Sequence, residues 1–166
     1  VDEVLDAEGW ATVDPSHLLA MELGSTEADP RGEVFDLFDP RFLAVQQRLR
    51  GYTDDKLDRL KALLAAVEVP ARGVVQYSAD GAAVATSLMA VADGVVITGN
   101  VVTDPAERRK GYAAAMMRTG HAWAHSAGAK VAALNVVADN AAGQALYRSL
   151  GYTHRYDYSY RVPGPA

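Results

Sequence analysis

The feature that most limits this chain is a change of rhythm near residue 103. Residues 95–102 form an apolar run rich in β-branched residues (Val95, Val96, Ile97, Thr98, Val101, Val102), which suits a strand. A short basic stretch with a glycine follows, and a helical pattern opens at about Tyr112. A helix start presents unpaired backbone N–H groups and a partial positive charge, so such a turn can hold an anion. Gly111 lets the backbone approach a phosphate without a Cβ in the way, and Arg108, Arg109 and Lys110 add full charges beside it.

Composition narrows the setting. At 166 residues and 49% hydrophobic, the chain can build one sizeable core in a single-domain length. There is no cysteine, which removes disulfides, thiolate nucleophiles and cysteine metal sites together. Of the four histidines only His121 and His125 have helical i, i+4 spacing, and they read as a polar helix face; no metal site is expected. No apolar run approaches the ~18–20 residues of a membrane span, and no signal peptide is visible, so a soluble, cytoplasmic protein with no membrane partner is the expectation. Formal charge is −5, yet residues 1–40 carry eleven acids against Arg31, a net −10, so the remainder carries +5. Its bases cluster at 108–110 as a local anion site; nothing resembles a nucleic-acid stripe.

Two motifs carry a family resemblance. Arg108-x-x-Gly111-x-Ala113 resembles the Arg/Gln-x-x-Gly-x-Gly/Ala signature of the GNAT superfamily of acyl-CoA-dependent N-acetyltransferases. Downstream, Asn140, Ala145, Leu146, Tyr147, Gly151 and Tyr152 fall as in the Asn…Ala…Leu-Tyr…Gly-aromatic segment of the same family. The resemblance spans roughly residues 73–161. It implies an α/β (α+β) GNAT-type fold, a central mixed, mostly antiparallel twisted sheet flanked by helices.

The resemblance implies an N-terminal segment over residues 1–32 and a GNAT catalytic domain over 33–166. The Gly9-Trp10 and Gly151-Tyr152 pairs each lead into a strand-like run, so the N-terminal segment reads either as the tail of a first GNAT-like lobe or as a chance hairpin. Residues 24–32 are a linker by composition. A helix opens after Asp39-Pro40 with Phe42, Val45 and Leu49 on one face. A second follows Thr53, with Leu57, Leu60, Leu63, Leu64 and Val67 as its stripe. Strands follow at 73–78, 82–91 and 95–102, then a helix over 112–126 with Ala115, Met116, Gly120, Trp123 and Ala124 buried. A strand at 130–137, a helix capped by Asp139 or Asn140 and a last strand from Tyr152 complete an order of the α/β kind. In that last strand, strict alternation sets His154, Tyr156, Tyr158 and Tyr160 on one face and Arg155, Asp157, Ser159 and Arg161 on the other. The tyrosine wall reads as an acceptor surface or as cross-strand packing.

What the resemblance implies about chemistry is specific. Backbone amides of Arg109, Lys110, Gly111, Tyr112, Ala113 and Ala114 would cradle the pyrophosphate of acetyl-CoA, the acyl donor, with Arg108 at the first signature position. Val101, Val102 and Thr103, on a strand that splays from its neighbour, would pair with the pantetheine arm, and Arg109 or Lys110 would reach the 3′-phosphate. Asn140 would bond the pantetheine amide, or cap its helix. Tyr147 would be the general acid for the leaving thiolate, or a core tyrosine. Asn100 stands where many members place an acid, so no base is assigned. The loop around residues 51–54 would help choose the acceptor, a small-molecule or peptide amine, and a homodimer is allowed. Attack would be direct, within a ternary complex, since no cysteine can carry the acyl group. The competing expectation is a non-catalytic acyl-CoA-binding regulatory module.

Overall fold

The computed structural model describes residues 2–164, as a mixed α/β chain of five α-helices and seven strands among the described residues. These are α1 (Asp2–Ala7), β1 (Ala11–Glu22), β2 (Gly32–Phe35), α2 (Pro40–Arg50), α3 (Asp54–Ala65), β3 (Ala71–Tyr77), β4 (Ala83–Ala92), β5 (Val95–Thr103), α4 (Tyr112–Ser126), β6 (Val131–Val137), α5 (Ala141–Ser149) and β7 (Thr153–Val162). Contacts divide the chain into two compact units, Met21–Ala133 and the residues up to Ala20 together with those from Leu134 on.

In the larger unit β2, β3, β4 and β5 form an antiparallel meander. Its turn at Asp93 and Gly94 has both residues at positive φ (49° and 77°), the geometry that two-residue hairpins favour. Helices cover both faces, so β3 and β4 are buried along most of their length without alternation, the polar Gln76, Thr86 and Ser87 included. On one side Phe35, Phe42, Leu43, Leu57, Leu60, Leu64 and Val75 form a core between β2–β3 and α2–α3. On the other, α4 lies against β3 and β4, where a Cβ on Gly120 would meet Met89 and Val74.

Local signals set the helix starts. Asp39 caps α2 by accepting from the Arg41 amide at 2.8 Å, with Pro40 in the first turn. Thr53 caps α3 through Lys56. Packing departs from the expected stripes. Leu63 is 70% exposed and Val67 is also exposed, while Gln46 of α2 is fully buried and donates to Thr86 Oγ1 at 3.2 Å. Residues 24–32 are not a free linker. Asp29 accepts from Gln76 and the Arg31 amide, and its own amide donates to Thr119 Oγ1 at 3.1 Å. The short β2 escaped the sequence reading, because pairing with β3 and not apolar period defines it. His121 lies on the buried side of α4, and only His125 belongs to an exposed face.

In the smaller unit β1 and β7 pair antiparallel, from Ala11 opposite Val162 to Ala20 opposite Thr153. The two Gly-aromatic pairs are alike in structure. α1 passes through Gly9 (φ 77°) into β1, and α5 through Gly151 (φ 97°) into β7. Arg161 of β7 is held by Asp2 and Asp6 of α1. The expected alternation of β7 fails, because the register slips by one residue at Arg155. His154 therefore shares a face with Asp157, away from Tyr156, Tyr158 and Tyr160.

Two outcomes follow for stability. A Cβ on Gly73 would lie 2.4 Å from the fully buried ring of Phe42, so Gly73→Ala should cost about 1–3 kcal/mol in denaturant unfolding; an unchanged midpoint would show that α2 does not sit tightly on β3. His121 is 3% exposed, and burial pushes its pKa down to about 4 from 6.5. Between those values the unfolded chain binds a proton that the folded chain refuses. Stability should thus fall as pH drops from 6.5 to 4, by on the order of 3 kcal/mol, and His121→Gln should flatten that slope.

Candidate active site

The strand that leads to the basic turn is irregular at one point. β5 pairs with β4 as Leu88 opposite Gly99 and Thr86 opposite Val102, so Asn100 and Val101 together face Ser87. This is a β-bulge, and Asn100 sits in it at φ 52°. Bulges re-aim side chains, and here Asn100 Oδ1 accepts from Arg50 Nη2 at 2.9 Å. Arg50 also donates to the Tyr52 hydroxyl at 3.1 Å, so the loop after α2 is tied to the bulge. Arg48 reaches the same strand ends, with a hydrogen bond to the Ala83 carbonyl and an ion pair to Asp104. A Gly99-Asn100 pair inside a strand was the available sign of this bulge, and the sequence reading took it only as a missing acid.

Past the bulge, Val101, Val102 and Thr103 are half-buried, and Val102 and Thr103 pair with Thr86 and Ala85 of β4. The Asp104 amide extends that ladder to the Val84 carbonyl at 2.8 Å, and its side chain caps a 3-10 turn at Pro105–Glu107. Arg109 then adopts φ 62° and Gly111 φ 85°. Alternating left-handed residues turn successive N–H groups inward to make an anion-binding concavity. Gly111 precedes α4 with no side-chain cap, and the first helical bond runs from the Ala115 amide to the Gly111 carbonyl at 3.0 Å. The amides of Tyr112, Ala113 and Ala114 thus have no acceptor among the described residues. A Cβ at Gly111 would meet nothing within 4 Å, so the space above the turn is open.

The three cations differ. Lys110 Nζ lies 3.0 Å from both Glu107 oxygens, and this hydrogen bond raises its pKa. Glu107 therefore faces Lys110 and is not a free surface acid. Arg108 and Arg109 are exposed, with no ion pair or hydrogen bond among the described residues.

The remaining two candidates lie on α5, in the smaller unit. Asn140 is the helix cap, its Oδ1 accepting from the Gly143 amide at 2.9 Å, while Asp139 does not take that role. Its Nδ2 is left as a donor. Tyr147 is 6% exposed, with its ring edge-on to Tyr152 at 5.9 Å. Burial raises the pKa of its phenol, and its hydroxyl has no partner among the described residues. It is therefore protonated at neutral pH.

Comparison with known proteins follows the same lines. A family model described as acetyltransferase (GNAT) family matches residues 32–152. The fold is similar to that of a GCN5-related N-acetyltransferase from Kribbella flavida, with TM-score 0.69 and 25% identity over 100% of this chain and 64% of that one. It is also similar to a tandem GNAT protein from the clavulanic acid biosynthesis pathway, with TM-score 0.72 and 14% identity over 99% of this chain and 59% of that one. A third likeness is to an aminoglycoside 6′-N-acetyltransferase from Acinetobacter haemolyticus, with TM-score 0.61 and 22% identity over 81% of this chain and 99% of that one. The chain thus spans under two thirds of the first two. No curated protein is significantly similar in sequence. Among the described residues no helix is long and apolar enough to cross a membrane. The bulged strand, the uncapped helix start and the match over residues 32–152 agree, and the chain belongs to the GNAT family of acetyltransferases.

Proposed function

We propose that the protein is an N-acetyltransferase that takes its acyl group from acetyl-CoA and delivers it to a primary amine in a ternary complex. The observation that carries this reading is the head of α4, where an open Gly111 lies with three amides and two arginines that have no partner among the described residues. These groups fit a diphosphate: the amides of Tyr112, Ala113 and Ala114 donate to its oxygens, and Arg108 and Arg109 balance its charge. When bound, coenzyme A supplies the activated thioester and leaves as a thiol. The edge of β5 at Val101, Val102 and Thr103 that is not used by β4 offers main-chain groups to the pantetheine amides, and Asn140 offers Nδ2. Tyr147, protonated and with no hydroxyl partner among the described residues, gives its proton to the departing sulfur. On the acceptor side, Arg50 and Tyr52 at the bulge select the amine-bearing molecule.

One observation favours a second reading, a non-catalytic acyl-CoA-binding module. Asn100 cannot take a proton, its oxygen is occupied by Arg50, and both Asp104 and Glu107 are paired with cations. An enzyme of this design needs water to relay the amine proton.

Two measurements decide. Acetyl-CoA at about a hundredfold over its Kd should stabilise the chain by about 2.7 kcal/mol, a rise of several degrees in melting temperature, whereas acetate should give none. Gly111→Asp, with a carboxylate and a strained φ of 85°, should abolish that rise; an equal rise in the variant would remove the turn from the site. Tyr147→Phe keeps the buried ring, so acetyl-CoA should still bind while turnover falls by about a hundredfold or more. Binding without thiol release from wild type, across a broad amine panel, would favour the module.

A further inference from the structure

The register slip in β7 has a chemical result. His17 of β1 lies directly opposite Asp157, and Leu19 lies opposite His154. Because Arg155 is the extra residue of the bulge, His154 and Asp157 point to the same side as His17 although they are three apart on one strand. His17 Nδ1 and His154 Nε2 each lie 2.6 Å from the same atom, Asp157 Oδ1. The imidazoles meet edge-on, with centroids 5.4 Å apart. All three donor atoms lie within 4.8 Å of one another, and the side chains are 27%, 52% and 67% exposed. Solvent and ions can therefore reach them.

We propose that His17, His154 and Asp157 form a divalent metal site of the zinc class, outside the residues assigned to acyl transfer. A tetrahedral zinc ion holds imidazole nitrogens and carboxylate oxygens at about 2.0–2.2 Å, which places donors about 3.3 Å apart. The nitrogen-to-oxygen separations of 2.6 Å must open by about 0.7 Å, which rotation of exposed side chains provides. Each imidazole stays neutral, its proton moving to the ring nitrogen that does not bind the ion. Water completes the fourth position. Two imidazoles with one carboxylate suit Zn2+, Co2+, Ni2+ or Cu2+, whereas Ca2+ and Mg2+ take sets made of oxygen. The ion would join strands from opposite ends of the chain and hold the bulge in place.

Titrating the chain, stripped of metal by chelation, with Zn2+ tests this directly. One ion per chain should bind and raise the melting temperature, Co2+ should give visible absorption bands from the same site, and Mg2+ should do neither. His17→Ala, His154→Ala and Asp157→Asn should each weaken uptake about tenfold or more, while His125→Ala, also an exposed histidine, should bind as wild type. Circular dichroism confirms that each variant is folded, and His17→Gln or His154→Gln replaces any that is not. No uptake by wild type, uptake unchanged in the three variants, or equal loss in His125→Ala overturns the proposal.

Discussion

Three backbone donors at the head of α4, the amides of Tyr112, Ala113 and Ala114, have no acceptor among the described residues, and such donors are met by water or by a ligand. Much of the larger unit holds those donors still. α4 cannot slide, because Gly120 leaves no space between it and Met89 and Val74. Thr119 is fixed by the Asp29 amide, and Asp29 in turn by Gln76 of β3. Burial pushes the Asp29 carboxyl up, but the Arg31 amide, Gln76, and the charges of Arg31 and Arg118 outweigh it and hold it below the usual range. Asp104 works from the other end, closing the β5 ladder and capping the next turn with one residue. The turn before α4 is thus held at both ends of the connection that makes it.

The bulge at Asn100 is the second constraint. A strand in regular register would bring Ser87 opposite one residue; here it faces two, and the chain beyond is shifted in phase. That shift sets which main-chain groups of Val101, Val102 and Thr103 face away from β4. It also sets where Arg50 meets the strand, so the α2–α3 loop and the end of β5 are mechanically one piece. A change in the loop at Tyr52 would therefore be felt at the bulge through Arg50.

How far such features were legible depends on whether their cause is local. Helices α2, α3 and α4 begin where Asp39, Thr53 and Gly111 said they would, because a cap is decided within three or four residues. The basic turn was legible for the same reason. β2 was not, since four residues carry no period and their strand state comes from β3. The stripe of α3 was over-read at Leu63 because apolarity marks candidates for burial without choosing among neighbours on a helix. In β7, one extra residue inverted every side assigned beyond it, and period two has no memory of a slip. Hence His17 could not be joined to His154 and Asp157 from sequence: the partners are far apart along the chain and a bulge decides their side. For Asn140, two roles were open, and the cap is the one that geometry within the chain can fill.

Charge asymmetry takes its meaning from these same contacts. The acidic first forty residues are not an acidic tail: Asp29 meets Arg31 and Arg118, Asp36 meets Arg72, Glu33 and Asp39 meet Arg41, and Asp2 and Asp6 meet Arg161. The exposed pairs among these, such as Asp36 with Arg72 and Glu33 with Arg41, contribute at most about 1 kcal/mol each, so they do little to hold the fold. Their effect is on potential. Each neutralises a cation that would otherwise compete for an anion, and Glu107 does the same for Lys110 inside the turn itself. Arg108 and Arg109 have no ion-pair partner among the described residues and lie beside the head of α4. A net-negative chain can therefore present a locally positive turn, because attraction at contact distance depends on the nearby charges and is screened from the rest within about 10 Å.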